Sequence, residues 1–162
     1  MQSTNITIYR RNGFFGVPII GRGSSFAIKF DTGATKSVIS IEKITGDLTN
    51  KQKVFIRDYI ADRNVKSEKL KSASGHLFNA YPAYTKDVTI GNHLFERFYY
   101  YLVVESLHQG RKIALLGDDF IDCCGFSREP HGDIIISKFD FSSYDMRTSM
   151  VSTDEILSLI IE

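Results

Sequence analysis

Tryptophan is absent from this chain, and it holds only three prolines and two cysteines, Cys123 and Cys124. Adjacent cysteines make a poor disulfide, because a bond between them is strained and closes no useful loop. A disulfide-stapled secreted scaffold is thereby excluded, and reduced thiols in a cytosol are the simpler reading. An excess of one charge is missing too: 20 Lys and Arg stand against 19 Asp and Glu, a formal net charge of +1. That balance argues against a protein whose main task is gripping nucleic acid or an anionic membrane. Arg10-Arg11 and the group Lys66, Lys69 and Lys71 read as solvated faces, and the aromatic run Phe98 to Tyr101 lacks the interleaved cations of a nucleic-acid-binding barrel. No apolar run approaches the roughly 20 residues of a membrane span, and no basic segment followed by an apolar one opens the chain. A soluble, cytoplasmic protein with no nucleic-acid or membrane partner is expected. Internal repeats, low-complexity segments and interdomain linkers are likewise lacking. What is there is ordinary core material: 162 residues, 43% hydrophobic and 12% aromatic, enough to bury one domain.

The patterning is mostly of strand type. Ile6 to Tyr9 alternates, Asn12-Gly13 is a hairpin signal, and Phe14 to Ile20 resumes the apolar run. A Gly/Ser turn at Gly21 to Ser25 leads into a strand at Phe26 to Phe30, and Val38-Ile39 continues as strand. Thr49 to Asp62 predicts a helix, with Thr49 as N-cap and Phe55/Tyr59 and Ile56/Ile60 at four-residue spacing. Ser72 to His76 reads as a turn between extended segments, with Gly75 at a mobile tip. Gly91-Asn92 predicts a hairpin between Val88–Ile90 and the long run from Leu94 to Val104, which ends in a polar loop at 106–111. Ile113 to Leu116 is a short buried strand that stops at Gly117 and enters a short helix, for which Asp118 and Asp119 are read as capping residues. Ile134 to Ile136 and Lys138 to Phe141 give the last strands. Ser152 to Glu155 has capping-box spacing ahead of an apolar tail.

The chemistry-bearing stretch is Phe30-Asp31-Thr32-Gly33-Ala34-Thr35, in which a strand delivers an acid directly to a turn. Other constellations fall short. Gly21-Arg22-Gly23-Ser24 lacks the Lys-Ser/Thr ending of a phosphate loop and precedes a strand. His76, His93, His108 and His131 show no metal-ligand spacing, and Cys123-Cys124 with His131 is a poor metal corner, so neither metal nor cofactor is expected.

Asp31-Thr32-Gly33-Ala34 after an apolar strand, Val38-Ile39 behind it and Leu115-Leu116-Gly117 about eighty residues later resemble the retropepsin-like aspartic proteases, single-lobed members of the pepsin superfamily. The likeness spans roughly Ile6 to Phe141. It implies an all-β, closed-barrel acid-protease fold with one or two short helices. The protease domain would cover residues 1–144, with 145–162 a tail carrying a short helix within the same domain. It further implies that Asp31 is catalytic and that Thr32, Gly33 and Ala34 shape its turn, Thr32 locking two such loops together. Leu115, Leu116 and Gly117 would support that turn. Ser74, Gly75 and His76 would lie in a flap over a bound peptide. Viral relatives are shorter, lack the helix before the flap and carry a glycine-rich tip, so the chain resembles the cellular and bacterial members more closely.

Independently of the resemblance, peptide hydrolysis without metal or covalent intermediate needs one group to activate water and another to protonate the carbonyl oxygen and leaving nitrogen. Two carboxylates about 3 Å apart meet both needs by sharing one proton. This chain has a single Asp-Thr-Gly and no Asp-Ser-Gly. The second carboxylate is therefore expected from a second copy, in a C2 homodimer that sets Asp31 against Asp31. The apolar tail Ile156 to Ile161 either adds to that contact or docks on its own subunit. The expected function is an aspartic endopeptidase acting on protein or peptide substrates. The competing reading keeps the fold as a non-catalytic peptide-binding or dimerisation module with a structural Asp31.

Overall fold

The computed structural model describes residues 2–11, 14–16, 18–20, 24–146 and 148–160. The expected turn at Asn12-Gly13 lies outside these residues, with Arg10–Arg11 and Phe14–Phe15 paired on either side of it; of the expected Gly21 to Ser25 turn, residues 21–23 lie outside them too, and Ser24–Ser25 is instead a strand paired with Pro18–Ile20.

The chain is mostly β. Its long hairpin, Leu77–Ile90 with His93–Val103, turns at Gly91, whose φ of +60° suits a residue without a side chain. Around this hairpin a nine-stranded sheet runs in the order Ser24–Ser25, Pro18–Ile20, Leu77–Ile90, His93–Val103, Val38–Ser40, Ala114–Leu116, Lys29–Phe30, with Glu68–Lys71 and Val151–Ser152 also paired to Leu77–Ile90. A second sheet places Ile134–Phe139 between Gln2–Ile8 and Cys124–Arg128. Only Lys29 and Phe30 of the expected 26–30 strand are paired, and the two expected terminal strands are one, Ile134–Phe139.

The core follows from alternation. Ile134, Ile136 and Phe139 point inward from one strand, and Phe95, Phe98 and Tyr100 from another, all fully buried. Phe95, Phe120, Phe139 and Tyr144 pack edge to face or tilted at 5.0–6.3 Å between ring centroids. Each such ring contributes about 1.5–3 kcal/mol through burial. A second, smaller apolar cluster gathers Val38, Ala80, Tyr101 and Val103, with Leu70, Phe78, Leu107, Ile113 and Met146 packed against it.

Helix is more plentiful than one or two short pieces. Asn50–Asp62 starts at Thr49, whose hydroxyl accepts from the Gln52 N–H while the Gln52 side chain accepts from Thr49 N–H, a complete capping box. Ahead of it, Glu42–Thr45 makes one turn. Glu42 pairs with the buried Lys53 at 3.3 Å, and Lys53 also donates to Ser106, which ties both helices to the 106–111 loop. The tail docks on its own chain: Val151–Ser152 pairs in parallel with Leu77–Ile90, and Thr153–Ile160 buries Ile156 and Leu157. The Ser152 hydroxyl accepts from Glu155 N–H, as the capping spacing predicts. Tyr100, wholly buried, donates to Thr153 at 2.5 Å and shares a hydrogen bond with Thr85 at 2.6 Å, joining tail to sheet. Among the described residues, no helix is long and apolar enough to cross a membrane.

Candidate active site

Lys29–Phe30 is the outermost strand of the nine-stranded path, and it ends at Asp31. It runs parallel to Ala114–Leu116, with Lys29 opposite Leu115 and Phe30 opposite Leu116. Two main-chain bonds then stitch the loops beyond these strands together. Asp31 N–H donates to Leu116 O at 2.9 Å, and Asp118 N–H donates to Ala34 O, also at 2.9 Å. The expected partnership of the Asp31 turn with Leu115-Leu116-Gly117 is thus built from backbone.

Within the turn, Ala34 N–H donates to Asp31 O at 3.1 Å and Gly33 N–H to Asp31 Oδ1 at 2.9 Å. The carboxylate is thereby oriented by its own loop while its side chain stays 26% exposed. Its Oδ2 has the Lys29 ammonium at 3.8 Å. Thr32 and Gly33 are exposed and Ala34 half-buried. The Thr32 hydroxyl makes no hydrogen bond among the described residues.

The glycine under the tightest constraint is Gly117. A Cβ there would stand 2.5 Å from the Lys36 carbonyl carbon and oxygen, so only glycine lets the two loops meet. At Gly33 an added Cβ would touch only Asp31 Oδ1, at 3.3 Å.

Asp118 and Asp119 do not cap the helix Asp118–Ile121; its N-cap is Gly117, with no side-chain cap bond. Asp119 instead turns back to the first loop. Its Oδ1 accepts from the Ser37 hydroxyl at 2.6 Å, and both of its oxygens lie 2.9 Å from Ser37 N–H. The Ser37 oxygen in turn accepts from Gly117 N–H at 3.1 Å. Burial raises the Asp119 carboxyl above its ordinary range, while the bonds from Ser37 and Phe120 N–H oppose that rise. Sequence reasoning missed Ser37, a lone hydroxyl whose only local signal is its place ahead of the apolar pair Val38-Ile39.

Ser74, Gly75 and His76 form the exposed tip of the hairpin between Glu68–Lys71 and Leu77–Ile90. Ser72 N–H donates to His76 O, Gly75 N–H to Ser72 O and His76 N–H to the Ser72 hydroxyl, and Gly75 takes a φ of +88°. The tip leans on the 106–111 loop, where the His76 and His108 rings stack at 4.0 Å. Lower down, Leu70 and Phe78 reach the cluster of Val38, Leu107 and Ile113, so the base of the hairpin packs on the strand that follows the Asp31 turn. Tyr101 belongs to the same cluster. Its ring carries the Lys36 ammonium at 5.6 Å, and burial, followed by a hydrogen bond to Glu68, raises its hydroxyl well above the ordinary range.

A surface depression of about 440 Å³, lined by residues that include Gln2, His93, Arg97 and Phe141, contains none of these groups. Among the described residues, no cluster of three or more His, Cys, Asp or Glu side chains could hold a metal ion. His131 pairs instead with Asp133 at 2.8 Å.

No protein-family profile and no curated protein matches the chain. Among solved structures it is similar to the crystal structure of a retropepsin-like aspartic protease from Rickettsia conorii. The two are 18% identical, the match covers 85% of this chain and 93% of that one, and the TM-score is 0.47. The functional reading is carried by the residues of the site themselves.

Proposed function

We propose that the protein is an aspartic endopeptidase that works as a homodimer, with water activated between two Asp31 carboxylates. The observation that carries this reading is the placement of Asp31. A partly exposed acid ends the outermost strand of the sheet, and its main chain is fixed to Leu116 by a 2.9 Å bond. An acid so placed is rigid on one side and open on the other. One chain supplies one such acid, and hydrolysis needs two. A second copy related by a two-fold axis supplies the other. The closed acid-protease barrel belongs to the same reading.

In this mechanism the pair shares one proton, since two adjacent carboxylates cannot both ionise cheaply. The ionised member takes a proton from water as the water attacks the scissile carbonyl, and the protonated member gives its proton to the carbonyl oxygen. The first then returns its proton to the leaving nitrogen as the C–N bond breaks, and a hydroxyl of the tetrahedral intermediate gives its proton back to the second, which restores the shared proton. Thr32, whose hydroxyl has no hydrogen bond among the described residues, joins the two turns across the axis. Gly33 and Ala34 leave room for the turns and for the substrate backbone. Ser74, Gly75 and His76 cover the peptide when the hairpin tip leaves His108.

The test is Asp31→Asn assayed against a diverse peptide library from acidic to neutral pH. Cleavage is expected to fall by at least 10²-fold, with fold and dimer unchanged by circular dichroism and sedimentation. Cleavage retained in that variant leaves Asp31 as a structural residue of a binding module. A monomer sedimenting under conditions where cleavage proceeds ends the two-chain part.

A further inference from the structure

Lys29 breaks the apolar character of the strand that delivers Asp31. Its neighbours Ile28 and Phe30 are buried, whereas its own side chain is 45% exposed and holds its ammonium 3.8 Å from Asp31 Oδ2. We propose that Lys29 is a specificity residue, and that the preferred substrates are peptides with an Asp or Glu side chain on a residue flanking the scissile bond.

The inference rests on the endopeptidase reading and follows from charge balance within it. A dimeric site holds two Asp31 and two Lys29. A carboxylate pair sharing one proton carries one negative charge, so the two ammoniums leave one positive charge over. Asp31 is the one ion-pair partner of Lys29 among the described residues. Lys36, at the far end of the turn, lies over the Tyr101 ring and acts electrostatically on Asp119. A bound peptide strips water from this surplus charge, which favours a substrate that brings its own carboxylate.

Distance selects where that carboxylate sits. Water lies about 3 Å from its base and about 3 Å from the carbon it attacks. An ammonium 3.8 Å from Asp31 Oδ2 is therefore within about 10 Å of the scissile carbon. A Glu side chain on a flanking residue, plus one charge-assisted hydrogen bond of about 2.8 Å, spans that gap.

The experiment compares kcat/KM for matched peptides that differ only in Glu, Gln or Lys beside the cleaved bond. The wild type is expected to favour Glu over Gln by roughly fivefold, the scale of a half-exposed ion pair, with the ratio shrinking as salt rises. Lys29→Arg keeps the ratio, Lys29→Met brings it to about one, and Lys29→Glu turns the preference toward Lys. Because the readout is a ratio between peptides, a change in absolute rate does not obscure it. Asp31-dependent cleavage with the same ratio in wild type and Lys29→Met overturns this inference and leaves the endopeptidase reading standing. Absent cleavage, or cleavage surviving Asp31→Asn, overturns that reading and this inference with it.

Discussion

Asp119 takes two donors from one residue, the main-chain N–H and the hydroxyl of Ser37, 82 positions earlier in the chain. Ser37 is wholly buried and passes the connection on to Gly117 N–H. Three residues thus close a small circuit between the loop that carries Asp31 and the loop that braces it.

Removing the acceptor exposes the cost of that circuit. Asp119→Ala leaves the Ser37 N–H and hydroxyl buried without their partner, an expected loss of about 2–3 kcal/mol by urea denaturation. Asp119→Asn tests the ionisation separately. Because burial raises the Asp119 carboxyl, the folded state retains that proton where the unfolded chain has lost it. The associated stability is fully present below the ordinary carboxylate value and is lost as pH rises through the raised one. The stability of wild type minus that of Asp119→Asn should therefore decline with rising pH across this window. A difference that is flat or grows contradicts the assignment.

Gly117→Ala pushes a Cβ to 2.5 Å from Lys36 main-chain atoms, none of which can rotate away. An expected loss of about 3 kcal/mol should come with amide shift changes at Asp31 and Ala34, whose backbone bonds cross the same junction. Gly110→Ala is the control: its φ is +67° and its Cβ would meet nothing within 4 Å. It should cost about 1 kcal/mol.

Tyr100→Phe deletes the hydroxyl between Thr85 and Thr153. The expected loss is about 1–2 kcal/mol. Hydrogen exchange should quicken first in Thr153–Ile160, because that helix is joined to the sheet through Thr153. Uniform quickening throughout the chain would show that the tail is not held separately.

Neither cysteine should react with iodoacetamide in the folded protein near pH 8. Burial pushes the Cys123 thiol up to about 11 and the Cys124 thiol to about 12. Thiolate, the reactive form, is then scarce. Alkylation in increasing urea should follow the unfolding curve; labelling that runs ahead of it would reveal local opening at 123–124.

Local signals were the ones legible in the residues. Thr49 announces itself as the N-cap of its helix, Gly91 marks its hairpin, and the turn at 72–76 sits between two extended runs. The pairing of Phe30-Asp31 with Leu115-Leu116-Gly117 was also readable, through the resemblance rather than through any local rule. The features without a local signal depend on partners distant in sequence. Asp119 next to a helix start looks like a cap until Ser37 is placed beside it. Cys124–Arg128, with glycine second and three exposed residues following, has no alternating pattern and becomes a strand only by pairing with Ile134–Phe139. Glu42–Thr45 is a single turn without a side-chain cap. Lys29 gives no sign from its position alone that its ammonium reaches Asp31.

Lys29–Phe30 and Val38–Ser40 are close in sequence but do not pair directly; Ala114–Leu116 lies between them. A growing or half-folded chain that has not yet seated Leu116 possesses Asp31 but lacks the bond that fixes it. Such late, non-local closure is slow compared with forming a hairpin. The order of assembly therefore sets when Asp31 is fixed, because the acid gains its geometry only after the strand from the far end of the domain has arrived.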